Sequence, residues 1–318
     1  MTQHDKPDTG KTIAVIGATG LQGRTVTHHL LADGWRVRAI TRSPQGRSAT
    51  ELAAAGAEIV TADMDDPASL RTAFNGAYGV FSVQPTVGSP GTAPDFGAED
   101  EVRWGRNVAE AAHVEGVAHF VYSSVAGAGR HAEEVLPENL VSKWRIEQRI
   151  IDLALPATIL RPVSFMENYS AGYHLRDGAV AAGFAAHIPQ QLIAVDDVGA
   201  FTALAFAHPA DWIGTTLDIA GDELTPTEIA AAISTAIGRD LPYVAIPLDE
   251  FRKLGDNFAY AYEWLNHRGY RADLAETHRR HPARPADLRT WLDTTGARQI
   301  SAFLRQGNDQ GVSGGDTP

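Results

Sequence analysis

Short apolar runs alternate with amphipathic stretches through the first half of the chain. Residues 12–16 (TIAVI) are apolar and predict a buried strand, and residues 22–33 then place Val26, Leu30 and Leu31 on one face of a helix. The alternation repeats, with strands predicted at 35–40, 57–60, 77–83, 117–124 and 156–162 and helices near 49–55, 66–74, 98–115 and 138–154. This order predicts an α/β fold, a doubly wound parallel sheet with helices on both faces and right-handed crossovers.

The regular alternation of predicted strands and helices ends after Pro162. Helical patterns near residues 196–207, 226–237 and 249–267 are separated by short strand-like pieces such as TTLDIAG and LPYVAIP. We therefore expect a first domain over 11–162 and a smaller mixed α/β domain over 163–305, interleaved with the first, that binds substrate. Residues 1–10 and 306–318 are polar or rich in Gly, Asp and Ser, and they are expected to form disordered tails.

A glycine-rich turn, GATGLQG, follows the first predicted strand. In a dinucleotide-binding Rossmann domain the glycines of such a turn have separate roles. Gly17 permits the sharp turn, Gly20 leaves room for a pyrophosphate and Gly23 lets the helix pack on the sheet. A tight loop is the simpler interpretation of three glycines, but the strand before and the helix after favour the dinucleotide site. Thr19, Leu21 and Gln22 lie in the same segment and are expected to contact the cofactor.

The end of the second predicted strand bears on which dinucleotide binds. An NAD site places a carboxylate there for the ribose 2′-hydroxyl, whereas this chain reads AITRSPQGR, with Arg42 and, close behind, Arg47. A guanidinium suits a 2′-phosphate, so NADP(H) is the expected cofactor; the alternative is a solvated arginine. Asp63 is placed to meet the adenine edge or to form a turn, and Gln84 is expected near the nicotinamide.

Composition and charge limit the partners and the chemistry. The 318 residues carry a net charge of −12 at pH 7, whereas a nucleic-acid surface needs a basic patch. The absence of cysteine excludes disulfides, iron–sulfur ligation and thiol catalysis. A polar start, and no run of about 20 apolar residues, predict neither a secretory signal nor a membrane span, and a cytoplasmic location is expected. His28–His29 and HRRH lack a further ligand at a fitting spacing, so no metal site is predicted.

Five stretches are informative when they are taken together: GATGLQG, TRSP, ADMDDPASL, LRPVSFMENY and AYAYEWLNHRGYRADL. In combination they resemble the NmrA-like family, a branch of the atypical short-chain dehydrogenases/reductases, and the similarity runs from about residue 11 to 300. The resemblance implies a Rossmann domain with a smaller C-terminal domain and a preference for NADP(H). It also implies one of two functions, because some members reduce small electrophiles with NADPH and others bind NADP(H) as redox sensors or regulators of protein partners.

The helix after the fifth predicted strand bears on catalysis. Ordinary short-chain dehydrogenases carry Tyr-x-x-x-Lys there, with the tyrosine as the acid. The matching segment here is ENLVSKWRIEQ, in which Lys143 is present and Asn139 stands at the tyrosine position. The reductase members imply that Lys143 supplies the proton, directly or through a water, and Tyr122 is the alternative. A surface pair of Lys143 with Glu147, one turn later, is the simpler structural interpretation.

Other polar and aromatic residues complete the predicted site. Ser123 and Ser124 lie at the carboxyl end of the fifth strand, where they are expected to bind the substrate carbonyl or the cofactor, or to bond the local backbone. Residues 258–264 hold four aromatic side chains that form either a wall over a flat substrate or buried helix packing.

The sequence thus favours an NADPH-dependent oxidoreductase acting on a small, fairly apolar substrate: a quinone, enone, imine, or aryl ketone or ether. The alternative is a non-catalytic NADP(H)-binding redox sensor that contacts a protein partner. A homodimer is also possible.

Overall fold

The computed structural model describes residues 10–87, 92–93 and 95–312. Its first eleven strands and helices follow in strict alternation: β1 Thr12–Val15, α1 Leu21–Ala32, β2 Arg36–Thr41, α2 Arg47–Ala54, β3 Glu58–Thr61, α3 Pro67–Phe74, β4 Gly79–Ser82, α4 Ala98–Val114, β5 His119–Ser123, α5 Glu138–Asp152 and β6 Ala157–Pro162. A short 3₁₀ helix, Ala128–Ala132, lies between β5 and α5. Helix α3 begins as its sequence predicts, because the Asp66 carboxylate accepts a hydrogen bond from the Ala68 N–H and Pro67 occupies the first helical position.

The remaining elements are shorter and mixed. They are β7 Ser164–Phe165, a 3₁₀ turn at Met166–Tyr169, β8 Leu175–Arg176, β9 Ala179–Ala182, β10 Gln190–Ile193, α6 Val195–Ala207, α7 Pro209–Trp212, β11 Thr216–Ile219, β12 Asp222–Leu224, α8 Pro226–Ile237, β13 Tyr243–Ala245, α9 Leu248–Arg252, α10 Asp256–His267, α11 Leu274–Arg280, α12 Leu288–Trp291, a π-helical turn at Leu292–Gly296 and α13 Ala297–Val312. None of the helices in the described part of the chain is both long and apolar enough to cross a membrane.

The chain divides into two compact units, neither of which is continuous in sequence. The first comprises Met1–Pro162 and Val195–Asp218, and the second comprises Val163–Ala194 and Ile219–Pro318. The segment from 195 to 218, which the sequence assigns to the smaller domain, therefore folds with the first unit. Its helix α6 packs on α1, and a Cβ at Gly199 would lie only 2.6 Å from His29 Cδ2.

The first unit is built on a seven-stranded sheet in the order β11-β6-β5-β4-β1-β2-β3. Neighbouring strands from β1 to β6 pair in parallel, with Val15 opposite Ala39 of β2 on one side and Phe81 of β4 on the other. The strand order reverses between β1 and β4, which is the topological switch point of a doubly wound sheet. The predicted α/β fold class is confirmed.

An apolar core fills the α3–α4–α5 side of this sheet. Ile16, Phe74 and Phe120 are fully buried in it or nearly so. Helices α4 and α5 approach closely, because a Cβ at Gly105 would lie 2.4 Å from Ile146 Cδ1. Because β1 to β5 pair in parallel, their carboxyl ends meet along one edge of the sheet.

The second unit has its own core and two three-stranded sheets, ordered β12-β10-β7 and β13-β9-β8. Helix α8 is capped at both ends: a Thr225–Glu228 capping box lies at its start, and Gly238, in the left-handed conformation, lies at its end. The single helix predicted over 249–267 is wrong: Gly255, at φ 138°, separates α9 from α10.

The predicted tails are only partly within the described residues. Residues 1–9 and 313–318 lie outside them. Within the tail expected from residue 306, the structure has helix α13 as far as Val312.

Candidate cofactor and active site

The glycine turn lies between β1 and α1, and its geometry separates the three glycines. Gly17 has φ 68°, in the left-handed region that favours glycine. A Cβ at Gly23 would lie 2.2 Å from the Gly17 carbonyl oxygen, so α1 can pack here only without a side chain. A Cβ at Gly20 would meet nothing but that same oxygen, at 3.2 Å, among the described residues. Gly17 and Gly23 are therefore required by the turn itself, whereas Gly20 leaves one side of the backbone open.

The start of α1 is suited to an anion. Gly20 is the N-cap residue and offers no side-chain hydrogen bond to the first turn, which contains no acidic residue. The first N–H groups of a helix have no intrahelical acceptor and bear partial positive charge. Across the sheet edge, the Ser123 hydroxyl donates to Gln22 Oε1 at 2.6 Å, which joins the end of β5 to the first turn of α1. Ser123 therefore supports this turn.

Arg42 follows β2 directly and is exposed. Its guanidinium carbon lies 5.5 Å from the ring centroid of Trp104, and within the described chain it has no ion-pair partner. Arg47, by contrast, donates to Glu51 at 2.8 Å on the surface of α2. Of the two arginines after β2, Arg42 is therefore the one whose charge can pair with a bound anion.

Asp63 closes the turn after β3. Its Oδ1 accepts from the Asp65 N–H at 2.9 Å, and its own N–H donates to Ser69 Oγ at 3.1 Å. These bonds are those of the turn-forming alternative. A contact of Asp63 with an adenine stays a prediction.

Gln84 follows β4 beside the switch point and is 3% exposed. Its Nε2 donates to Ser82 Oγ at 2.9 Å, while its Oε1 is buried with no hydrogen-bond partner among the described residues. A buried carbonyl oxygen without a donor is uncommon in folded proteins. Gln84 thus presents an acceptor that a bound group with an N–H can satisfy.

Lys143 has a partner that the sequence does not predict. Its Nζ donates to Glu101 Oε1 at 2.5 Å, and Ser142 Oγ donates to the other oxygen of the same carboxylate at 2.7 Å. Glu101, on α4, is fully buried and the Lys143 side chain is 12% exposed. The alternative interpretation, a surface pair of Lys143 with Glu147, is wrong. One turn earlier on α5, Asn139 Oδ1 is buried without a partner in the described chain.

Tyr122 is fully buried in the core of the first unit. Burial raises its pKa well above the usual range, and the nearby charges of Glu101 and Glu147 raise it further. Its hydroxyl contacts no hydrogen-bond partner among the described residues. The geometry therefore argues against Tyr122 as the proton donor.

Ser124 belongs to a buried ionic network. Its hydroxyl donates to Glu147, which also accepts from Arg161 Nε at 2.9 Å and Nη2 at 2.6 Å. Arg161 lies 3.6 Å from Asp218, whose pKa is raised by burial. Because its proton points at Glu147, Ser124 is not free to donate to a substrate carbonyl. Sequence reasoning missed this network, although an arginine within the apolar strand ATILRP was a signal for it.

The aromatic segment of the second unit is mostly packed. Trp264 is 3% exposed, and Tyr262 lies 4.3 Å, centroid to centroid, from Phe251. Tyr260 is half-buried, whereas Phe258 is 39% exposed. Buried packing explains Trp264 and Tyr262, and Phe258 remains available to a flat ligand.

His29 forms an ion pair on the outer face of α1. Its Nε2–H donates to Asp196 Oδ1 of α6 at 3.0 Å, and this hydrogen bond raises the pKa of His29 above 6.5 against the opposing effect of burial. The pair joins two helices of the first unit, which is a structural role.

The strand order, the switch point and the glycine turn define a Rossmann-type α/β fold. The chain belongs to the NmrA-like family, which matches residues 9–305. An NmrA-like family domain-containing oxidoreductase, FrzB of Cladobotryum sp, is 35% identical over 170 residues, which are 50% of this chain and 48% of FrzB. The chain thus matches about half the length of this relative.

A second relative and a solved structure match more of the chain. The (4-alkanoyl-5-oxo-2,5-dihydrofuran-3-yl)methyl phosphate reductase of Streptomyces griseus is 31% identical over 244 residues, covering 76% of this chain and 79% of the relative. The crystal structure of NmrA, a negative transcriptional regulator in complex with NADP, superposes with a TM-score of 0.74 at 22% identity, covering 92% of this chain and 97% of NmrA. This structural likeness supports the fold.

Proposed function

We propose that this protein binds NADP(H) at the carboxyl edge of its seven-stranded sheet and reduces a small, fairly apolar substrate. The substrate classes we infer are quinones, enones, imines, and aryl ketones or ethers. The observation on which the proposal depends is Arg42, an exposed guanidinium without an ion-pair partner in the described chain, at the point where NAD-binding folds carry a carboxylate. A guanidinium there favours a 2′-phosphate.

The donor and acceptor groups at this edge of the sheet suit three parts of the cofactor: the pyrophosphate, the 2′-phosphate and the nicotinamide carboxamide. The open side of Gly20 and the uncapped start of α1 suit a pyrophosphate. Arg42 suits the 2′-phosphate, and the buried Gln84 Oε1 suits an N–H donor such as a carboxamide. When bound, NADPH supplies the hydride, so the protein has to supply or position the proton.

Lys143 is the group that we assign to this proton. Tyr122 is buried, and Ser124 donates to Glu147. An ammonium has three N–H donors, and one of those on Lys143 is directed at Glu101, which leaves two for a substrate oxygen or an ordered water. The ion pair with the buried Glu101 restrains the lysine side chain.

A second function, in a different class, has its own support. The hydroxyls of Ser123 and Ser124 are committed to side-chain acceptors, and Asn139 stands where an ordinary short-chain dehydrogenase has its acid. A site with few free proton donors also suits a non-catalytic sensor that binds NADP(H) and contacts a protein partner. The description of NmrA as an NADP-bound negative transcriptional regulator supports this alternative.

Calorimetric titration with NADPH and NADH tests the cofactor assignment. A charge-assisted contact to the 2′-phosphate contributes about 1.5–3 kcal/mol, so the wild type should prefer NADPH by about 10- to 150-fold. Arg42→Ala should abolish this preference, and the control Arg47→Ala should retain it because Arg47 already pairs with Glu51. Equal wild-type affinities for the two cofactors would contradict the assignment.

An NADPH-oxidation screen then separates the two functions. Consumption of NADPH with any quinone, enone, imine or aryl ketone supports the reductase. Tight NADPH binding without consumption, together with different proteins captured by the NADPH-bound and cofactor-free forms, supports the sensor.

A further inference from the structure

Trp104 lies against the residue to which we assign the 2′-phosphate. It belongs to α4, is 8% exposed and also packs on Phe96, with 4.9 Å between ring centroids. The guanidinium of Arg42 is over its indole ring, at 5.5 Å from the centroid. An indole is the aromatic ring that attracts a cation most strongly, and this one is itself held by its neighbours.

The carboxylates near Trp104 are paired with a different arginine. Arg103 donates to Asp65 through Nε at 2.8 Å and Nη2 at 3.1 Å, and to Asp100 through Nη1 at 2.7 Å. Arg103 therefore neutralises both of these acidic groups. Arg42 contacts an aromatic face instead, and it has no ion-pair partner among the described residues.

This difference affects ligand binding. A carboxylate that restrained Arg42 would also compete with a phosphate for its N–H groups. A ring face attracts the guanidinium without taking up its N–H donors as an anion would, so those donors remain for a bidentate contact with a phosphate. Restraint before binding lowers the ordering cost that the ligand has to meet.

We propose that Trp104 is a positioning residue for recognition of the 2′-phosphate, acting through Arg42. The inference rests on the proposed function, because it takes Arg42 as the group that reads that phosphate. It predicts that the ratio of NADPH to NADH affinity depends on a side chain that belongs to α4, away from the strand that presents Arg42.

The test is the NADPH/NADH affinity ratio, measured by calorimetry at one salt concentration. Trp104→Met keeps an apolar side chain without a π face, and the ratio should fall by about 2- to 5-fold, the factor that corresponds to a partly exposed cation–π contact. NADH affinity should change little. Trp104→Phe keeps a weaker π face, so it should lower the ratio by no more than about 2-fold. The matched control is Trp212→Met, because Trp212 is 4% exposed in the same unit and packs on Phe201.

A double-mutant cycle with Arg42→Ala shows whether the effect passes through Arg42. In the Arg42→Ala background, Trp104→Met should leave the ratio unchanged. If Trp104→Met does not fold, the same cycle with Trp104→Phe decides, with a fall of about 2-fold expected only when Arg42 is present.

The outcomes distinguish the positioning role of Trp104 from the cofactor assignment, which depends on Arg42. A ratio that Arg42→Ala lowers and Trp104→Met leaves unchanged overturns the positioning role and keeps the cofactor assignment. A fall of the ratio that persists without Arg42 shows a general packing effect and also overturns the positioning role. A ratio that Arg42→Ala leaves unchanged overturns the cofactor assignment itself.

Discussion

Replacing Lys143 by methionine should affect stability and turnover by two separate routes. The Lys143 ammonium lies 2.5 Å from the carboxylate of Glu101, which is fully buried. Without the lysine, the hydroxyl of Ser142 remains as a hydrogen-bond donor, but the negative charge has no counter-ion within the described chain. Removing one member of a buried pair costs about 3–5 kcal/mol. At about 2 °C per kcal/mol for a chain of this size, the midpoint of thermal unfolding should fall by roughly 6–10 °C.

A second substitution separates the two routes. Glu101→Gln removes the unpaired charge and keeps an acceptor for Ser142, so the double variant Lys143→Met/Glu101→Gln should recover most of the lost stability. It still lacks the ammonium. Loss of general acid catalysis costs about 10²- to 10⁴-fold in rate, so turnover should stay low. Loss of one hydrogen bond should weaken NADPH binding by no more than about tenfold.

The assays are thermal unfolding, urea unfolding, and the NADPH-oxidation rate with a substrate from the screen. Arg145→Met is the matched control, because Arg145 pairs with Glu99 at the surface of the same two helices and such exposed pairs contribute about 0–1 kcal/mol. A loss below about 1 kcal/mol for Lys143→Met would refute the argument from the buried charge. Wild-type turnover in the double variant would refute the assignment of the proton to Lys143.

Three further predictions concern single residues of the first unit. Gly20→Ala should fold and bind NADPH weakly, whereas Gly23→Ala should be destabilised because its Cβ would lie 2.2 Å from a backbone oxygen; melting curves and NADPH titration distinguish the two. Tyr122→Phe should leave turnover unchanged and stability equal or up to about 1 kcal/mol higher, because the lost hydroxyl is buried without a partner in the described chain; a large rate loss would restore Tyr122 as the acid. The raised pKa of His29 means that its pair with Asp196 stabilises the fold fully below pH 6.5 and that this contribution is lost as pH rises through the raised value; the deficit of Asp196→Asn in urea unfolding should therefore shrink at high pH, and a deficit independent of pH would contradict the pairing.

The strands and the glycine turn could be predicted from sequence because their signals are local. A buried parallel strand is a short apolar run, and the turn after β1 needs glycine at fixed positions. Side-chain direction in β5 could not be predicted in the same way. Alternation puts Phe120 and Tyr122 on one face and Val121 on the other, but all three are fully buried, so the sequence pattern does not say which face Tyr122 occupies.

The ionic partners could not be predicted in this way. Lys143 and Glu101 are 42 positions apart and meet only because α4 and α5 pack side by side. Local spacing instead offered Glu147, four residues away, which faces Arg161 of β6. Pairings between distant segments depend on packing that no short window of sequence contains.

Residues 195–218 belong to the first unit although they follow part of the second unit in the sequence. This order affects how the first unit folds during synthesis on the ribosome. Phe206 of α6 lies over Gly79 in the centre of the sheet, and β11 forms the strand beside β6. A ribosome has to synthesise all of 163–194 before these pieces emerge, which takes a few seconds at about 5–20 residues per second. During that interval the nascent sheet has an unpaired edge and an uncovered apolar face. A gene truncated after residue 162 would therefore encode a sheet that stays in this unprotected state.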